Sequence, residues 1–512
     1  MQILKETVFY LLTSFVILVF QDTVQSQTIT KGPYLANPMA NSMTIRWESG
    51  TKADFEVKYG RYKPSKSVQG KLIGQKTSGF LYQAVITKLK PGQKYFYEVK
   101  SGNIKSETES FIAPNPKLTD FSFVVFGDSR SKPHVLESFA RQINQIKPVA
   151  VIANGDLVAK GGDINGWQSK FFDPLQSVIA HIPFISAVGD HESDQVDGDD
   201  AKLFTHFLLP QKNNMKLWFS YDFGNAHFIF LDWRYPNSKE MAGWFKKDIS
   251  QSKKTWNFVV MHRSPYNMGG HHVSWGKNIW PQLFRENKID VVFSGHSHLY
   301  ERFYPTRPKS EPDSWPVTYI TTGGAGASLY EAISGQGMAF TKSVNHFLKV
   351  DIKNAQIIIK ALGVDGKTID SVSWSKSKGS FNKEFLASIK PQENLDIMNV
   401  FNSQISKRME RLPMVEVPYK PYLLLDAKNI KEDIEYTIRL AEESEGKYKM
   451  QAVSGTVKAG TATDIRLEIY GRTTMTVSKW GDLRPVLRLI AEYKTKNHSG
   501  TVKGKILEYI AW

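Results

Sequence analysis

The chain has 512 residues, 41% of them hydrophobic and 23% charged, with a formal net charge of +16 and no cysteine. At about 100–200 residues per domain, that length implies three domains or so, and the composition supports a full buried core. The lack of cysteine excludes disulfides, thiolate metal sites and lipid attachment through sulfur. The positive balance fits an acidic partner or an anionic substrate, or else lysines scattered in solvent. No nucleic-acid module or basic run with interleaved aromatics accompanies it.

Residues 1–26 read as a secretory signal. Lys5 precedes the apolar run VFYLLTSFVILVF (Val8 to Phe20), and QDTVQSQ places Val24 and Ser26 for cleavage before Gln27. The run is shorter than the ~20 apolar residues of a membrane span. The rival is an uncleaved anchor. No other stretch is apolar enough to span, so the expectation is a secreted or periplasmic protein, or one held at the cell surface, with no membrane span after cleavage. An exported chain without cysteine suits a bacterial periplasm or surface.

Residues 28–113 alternate with period two in SMTIRWES and DFEVKYG, and GFLYQAVITKLKPGQKYFYEVKSG gives two strands about a Pro-Gly turn. Leu89, Pro91, Tyr95, Tyr97 and Val99, with Trp47 on an early strand, resemble a fibronectin type III domain, in which Tyr95 would be the corner tyrosine bonding back to the preceding loop. APNPK, Ala113 to Lys117, is the linker.

From 118 to about 375, short apolar strands (FSFVVF, VAVIA, FISAV, FIFLDW, FVVM, DVVFSG) alternate with helical stretches. HVLESFARQINQI puts Val135, Phe139, Ile143 and Ile146 on one face. This predicts a layered α/β domain. From 385 to 512 the chain reads as a β-rich domain of unassigned role, preceded by a stretch of partial helical period. That domain is open to three roles: a carbohydrate or partner module, a dimerisation surface, or a cap on the cleft.

Five segments of the middle region put metal-type ligands just after a predicted strand: FGDSR (Asp128), NGDLV (Asp156), VGDHE (Asp190, His191), VMHRSP (His262) and SGHSHLYER (His296, His298). Ligands gather at the carboxyl ends of strands in α/β sheets, and a preceding glycine lets the chain turn there. One such segment alone is more often a turn. The five together, in this order, resemble the calcineurin-like metallophosphoesterases. With the fibronectin-like domain in front, residues 28–375 are similar to the purple acid phosphatases.

The resemblance implies a four-layer α/β catalytic domain and two divalent or trivalent metal ions, of iron, zinc or manganese. It assigns Asp128 and His298 to the first ion, Asp190, His262 and His296 to the second, and Asp156 as the bridge. It implies that His191 contacts phosphate and can act as acid, and that His271 and His272, in HRSPYNMGGHHVSW, contact the ester, His191 with one of them assisting the leaving oxygen; alone, that pair reads as an exposed loop. The implied reaction is hydrolysis of phosphorylated small molecules, foremost phosphomonoesters, by a metal-activated hydroxide. The alternatives are a phosphodiesterase and a catalytically degraded phosphate- or glycan-binding surface protein.

The sequence also departs from the pattern. Arg130 stands where many metallophosphoesterases carry His, and Ala159 where purple acid phosphatases carry Tyr, so no tyrosinate–iron bond is expected. Asp190 stands where the family has Asn. His134 could loop back as a replacement ligand, or face solvent at a helix start. Arg130 could hold a phosphate oxygen, or pair with a nearby carboxylate. SDQVDGDDAK (Ser193 to Lys202) reads as a solvated loop and only loosely as a calcium loop, and GGAGASLY (Gly323 to Tyr330) as a loop near the site.

Overall fold

The computed structural model describes residues 28–381, apart from 195, 210–215, 272–274, 307–312, 333–337 and 378–379. It also describes 422–503, apart from 428–429, 441–447, 468, 472–488 and 498. The signal read at 1–26, the helical stretch expected after 385 and the chain beyond 503 lie outside the described residues.

The first unit is a sandwich of two antiparallel sheets. One runs Ile29–Met39, Ser42–Ser49, Gly79–Ile86, Lys71–Lys76; in the other, Glu56–Gly60 and Lys94–Ser101 are central. Alternation in SMTIRWES turns Met43, Ile45 and Trp47 inward, and Trp47 stacks on Tyr82 with ring centres 5.7 Å apart. The expected corner forms: the Lys90 backbone N–H donates to the Tyr95 hydroxyl at 3.0 Å. This unit is bonded to the next one by polar side chains. Buried Arg46 donates to the carbonyls of Phe207 (3.0 Å) and Leu209 (2.8 Å), Tyr34 donates to Phe207 O (2.8 Å), and Tyr97 to Ala180 O (2.7 Å).

The central unit holds, among the described residues, two seven-stranded sheets. In the first, Asp120–Phe126, Val151–Ala153 and Phe184–Ser186 run parallel, with Phe126, Ala153 and Ser186 level. In the second, Ala226–Phe230, Trp256–Met261, Val291–Ser294 and Thr318–Thr322 run parallel, with Met261, Ser294 and Thr321 level. The sheets meet through aromatic side chains: Phe123 packs on Phe228 and Phe258, with centres 4.9 and 5.3 Å away. Helix Pro133–Ile146 covers the first sheet with the predicted stripe, Val135, Phe139 and Ile143 buried and Ile146 partly so. Helices Lys239–Gln251 and Trp280–Glu286 cover the second with Met241, Phe245, Trp280 and Phe284. The result is the four-layer domain expected, and every parallel strand delivers its carboxyl end to one edge.

Strands Tyr422–Asp426, Ile434–Leu440, Val453–Val457, Ala462–Arg466 and Leu489–Lys494 form a β-rich third unit around Leu425, Ile438, Val457 and Leu489. Met268, from the loop that also carries His271, packs against this third core as well as against the second sheet's.

Replacing Arg46 with Leu leaves the Phe207 and Leu209 carbonyls buried without that donor. We expect a loss of about 2–4 kcal/mol, read as a lower urea midpoint at unchanged slope.

Candidate metal centre

Six predicted ligands converge where the two sheets meet. Among the described residues, Asp190, His262 and His296 form one group of mutually close ligand atoms, and Asp128, Asp156 and His262 another, each spanning no more than 4.8 Å. His262 Nε2 lies 3.0 Å from Asp190 Oδ1 and 3.4 Å from Asp156 Oδ1. His296 Nδ1 is 3.1 Å from Asp190 Oδ2, and His298 Nε2 is 3.5 Å from Asp128 Oδ1.

Backbone carbonyls orient two of the imidazoles. His262 Nδ1 faces Asn154 O and His298 Nδ1 faces Ser328 O, each at 2.8 Å. The Nδ1 proton is thereby held by the backbone and Nε2 is turned into the cluster, as a metal ligand requires. His262 Nε2 is fully buried and, despite its carboxylate neighbours, has no aligned hydrogen-bond partner. An unpaired buried nitrogen facing three carboxylates, in a set made only of oxygen and imidazole donors, fits a cation of the zinc, manganese or iron kind.

The chain turns at these ligands in a way the sequence did not reveal. Asp128, Asp156 and His296 themselves adopt left-handed backbone, with φ of 60°, 55° and 66°. Such angles are uncommon outside glycine and cluster at functional sites. The glycines expected to make those turns mostly serve close approach instead. A Cβ on Gly295 would stand 2.4 Å from Asp128 Oδ2, and one on Gly189 would stand 2.2 Å from the Asp156 backbone nitrogen.

Electrostatics push the carboxyls in opposite directions. Burial, with Asp156 nearby, holds the Asp128 carboxyl well above its usual range. Burial acts in the same sense on Asp190, but His262, His296 and Arg263 outweigh it and lower the group. Burial works against the charge on His262, yet Asp156 and Asp190 raise it well above an ordinary imidazole. His298 is lowered to about 3 by burial and by Arg130.

The outer residues divide. His191 donates its backbone N–H to Asp156 Oδ1 at 3.0 Å. Its ring Nδ1 lies 2.8 Å from Ala159 O and 3.3 Å from Asp197 Oδ2, with Nε2 3.8 Å from Asp156 Oδ2. The acidic loop is therefore not simply solvated. Arg130 Nε sits 3.6 Å from Asp156 Oδ2, within ion-pair range, and has no hydrogen-bond partner. His271 stacks on His296 at 4.3 Å, and its Nε2 meets the Tyr330 hydroxyl at 2.8 Å. Partial burial and the neighbouring His296 lower His271 to about 4. His134 is exposed at the start of its helix and belongs to neither ligand group. His272 lies outside the described residues.

Residues 121–300 match the calcineurin-like phosphoesterase family, and residues 31–113 the purple acid phosphatase N-terminal domain. The chain thus combines a calcineurin-like phosphoesterase domain with a purple acid phosphatase N-terminal domain, and its relatives are purple acid phosphatases. It is 28% identical over 327 residues to purple acid phosphatase 5 of Arabidopsis thaliana, covering 59% of this chain and 76% of that one. It is 28% identical over 288 residues to the Fe(3+)-Zn(2+) purple acid phosphatase 12 of the same plant, covering 49% and 60%. The fold resembles that of purple acid phosphatase PPD1 from yellow lupin seeds, with a TM-score of 0.61 at 21% identity, over 70% of this chain and 76% of that one.

In this purple acid phosphatase-like chain, three supporting carboxyl and phenol groups escaped the sequence reading. Glu192, buried, accepts from the backbone N–H groups of Gly189 (2.8 Å), Asp156 (3.0 Å) and Leu157 (2.7 Å), and so ties two ligand loops together. Burial and Asp156 raise it to about 7. Glu301 accepts from Met268 N (3.1 Å) and Gly269 N (2.6 Å) and anchors the loop bearing His271. Tyr330, at the end of GGAGASLY, stacks on His298 at 4.4 Å. A Glu directly inside VGDHE and another inside GHSHLYER were the available signals.

Burial raises Glu301 from 4.5 to about 8. Between those values the folded chain keeps a proton that the unfolded chain has released. Stability is therefore fully present below pH 4.5, falls as pH rises toward 8 and levels above it. Glu301→Gln cannot titrate, so the wild type should lose about 1–3 kcal/mol relative to this variant between pH 5 and 8, read from denaturant melts at stepped pH.

Proposed function

We propose that the chain is an exported phosphomonoester hydrolase that works with two metal ions. The observation that carries this is the convergence of five predicted ligands, from strand ends of two sheets, in two groups that share His262, with His298 beside Asp128. Asp128, Asp156 and His298 would hold one ion, and Asp156, Asp190, His262 and His296 the other. Bound there, the pair supplies Lewis acidity and an activated water near neutral pH.

The chain's own groups supply orientation and charge. Arg130, partly exposed beside Asp156, is placed to hold a phosphate oxygen with the N–H groups that Asp156 does not take up. Arg130 puts a guanidinium charge at the edge of the cluster, which suits the double charge of a monoester better than the single charge of a diester. Ala159 O and Asp197 hold the His191 proton on Nδ1. With a second proton on Nε2, His191 would be the donor to the leaving oxygen, and His271, stacked on His296 and bonded to Tyr330, is assigned to substrate orientation. With Ala at 159, no tyrosinate bond colours the site.

Metal-loaded protein, tested with manganese, zinc and iron in turn, should hydrolyse p-nitrophenyl phosphate faster than its bis-ester. Asp156→Ala should lower that rate by about a hundredfold or more. Absence of hydrolysis with every metal, or an unchanged rate in Asp156→Ala, would overturn the enzyme assignment; a faster bis-ester would replace monoesterase by diesterase. Export is supported by the run from Val8 to Phe20, and N-terminal sequencing of protein recovered outside the cytoplasm should begin at Gln27.

A further inference from the structure

The Asp190 carboxylate is bracketed on two sides. Toward the cluster, Oδ1 meets His262 Nε2 at 3.0 Å and Oδ2 meets His296 Nδ1 at 3.1 Å. A second pair of contacts comes from a single guanidinium: Arg263 donates from Nε to Oδ1 at 3.2 Å and from Nη2 to Oδ2 at 2.6 Å. Each oxygen thus faces one imidazole and one arginine N–H, in the two-pronged geometry that fixes a carboxylate's plane.

Arg263 is itself held. Its guanidinium lies 4.0 Å from the centre of the Trp233 ring, a cation–π contact. The Trp233 indole N–H donates to Ser193 Oγ at 3.1 Å, and Ser193 Oγ donates to Gly189 O at 2.6 Å. The brace therefore closes on the residue just before Asp190. The pair is shielded, with side-chain exposures of 28% for Arg263 and 11% for Asp190, so it differs from a surface ion pair whose charges water screens.

We infer that Arg263 is the counter-charge of Asp190: a positioning residue that acts through this carboxylate to set how tightly the second metal position holds a divalent ion. The inference rests on the metal-site assignment above. Asp190 with Arg263 presents the ion with a charged ligand whose excess negative charge is largely offset from behind. Removing the arginine alone should overcharge the site and tighten it. Removing the aspartate's charge alone should leave a bare cation beside the ion and loosen it.

The test is calorimetric titration of chelator-stripped full chain with Mn²⁺, for wild type, Arg263→Gln, Arg263→Lys, Asp190→Asn and the double variant Asp190→Asn/Arg263→Gln. Arg263→Gln should bind Mn²⁺ about tenfold more tightly than wild type, and Arg263→Lys within about threefold of it. Asp190→Asn should weaken binding, and adding Arg263→Gln to it should recover about tenfold or more. A brace with no charge role predicts the reverse: weaker binding in Arg263→Gln, and a double variant no better than Asp190→Asn. Either of those results, in a wild type that binds Mn²⁺, overturns the inference and leaves the metal site standing. A wild type that takes up no Mn²⁺, Zn²⁺ or iron overturns both. Because each comparison reads affinity rather than turnover, and Arg263→Lys keeps the charge, a loss of folding in one variant does not decide the outcome.

Discussion

Three carboxylates crowd around one buried imidazole. Asp156 and Asp190 approach His262 Nε2 to 3.4 and 3.0 Å, and Asp128 belongs to the same ligand cluster. Like charges brought this close in a dry interior repel one another, and each has lost its water. Much of the surrounding architecture answers that problem. Burial pushes Asp128 toward its neutral form, while Arg263 and two imidazoles keep Asp190 charged. Arg130 stands beside Asp156, and Glu192 gathers the backbone N–H groups of both loops. A pair of cations at the centre would complete the same balance.

The fold makes the crowding geometrically possible. Seven parallel strands in two facing sheets end at one edge, so ligands separated by up to 170 residues meet without a long excursion. Three of those ligands sit in left-handed backbone, a conformation that costs of order 1–3 kcal/mol per residue. Phe123, packed against Phe228 and Phe258, is among the side chains that tie the two sheets together behind that edge.

What the sequence disclosed follows from how locally each feature is encoded. The six candidate ligands were legible as a set because each follows a short apolar strand in a fixed dipeptide or tripeptide, and the helix stripe of Val135, Phe139 and Ile143 because its period is a property of one segment. The role of Gly295 was misread, since its demand comes from Asp128 across the site and not from its own turn. Arg263 and Glu192 were overlooked although they adjoin ligands, because a side chain's partner cannot be read from its neighbours in the chain. The lowered value of His271 likewise arises from His296 and from burial, both of them consequences of tertiary structure. The division into two facing sheets came from the family resemblance, since strand order is not written in strand composition.

Met268 belongs at once to the second sheet's core and to the core of the third, β-rich unit. It lies next to Gly269, whose backbone Glu301 holds, and close to His271. The loop that carries His271 is therefore clasped from two directions, by Glu301 and the second sheet's core on one side and by the core of the third unit on the other. Among the described residues, Met268 thus gives a change in the third unit's core a direct route to the His271 loop, one that passes through none of the six candidate ligands.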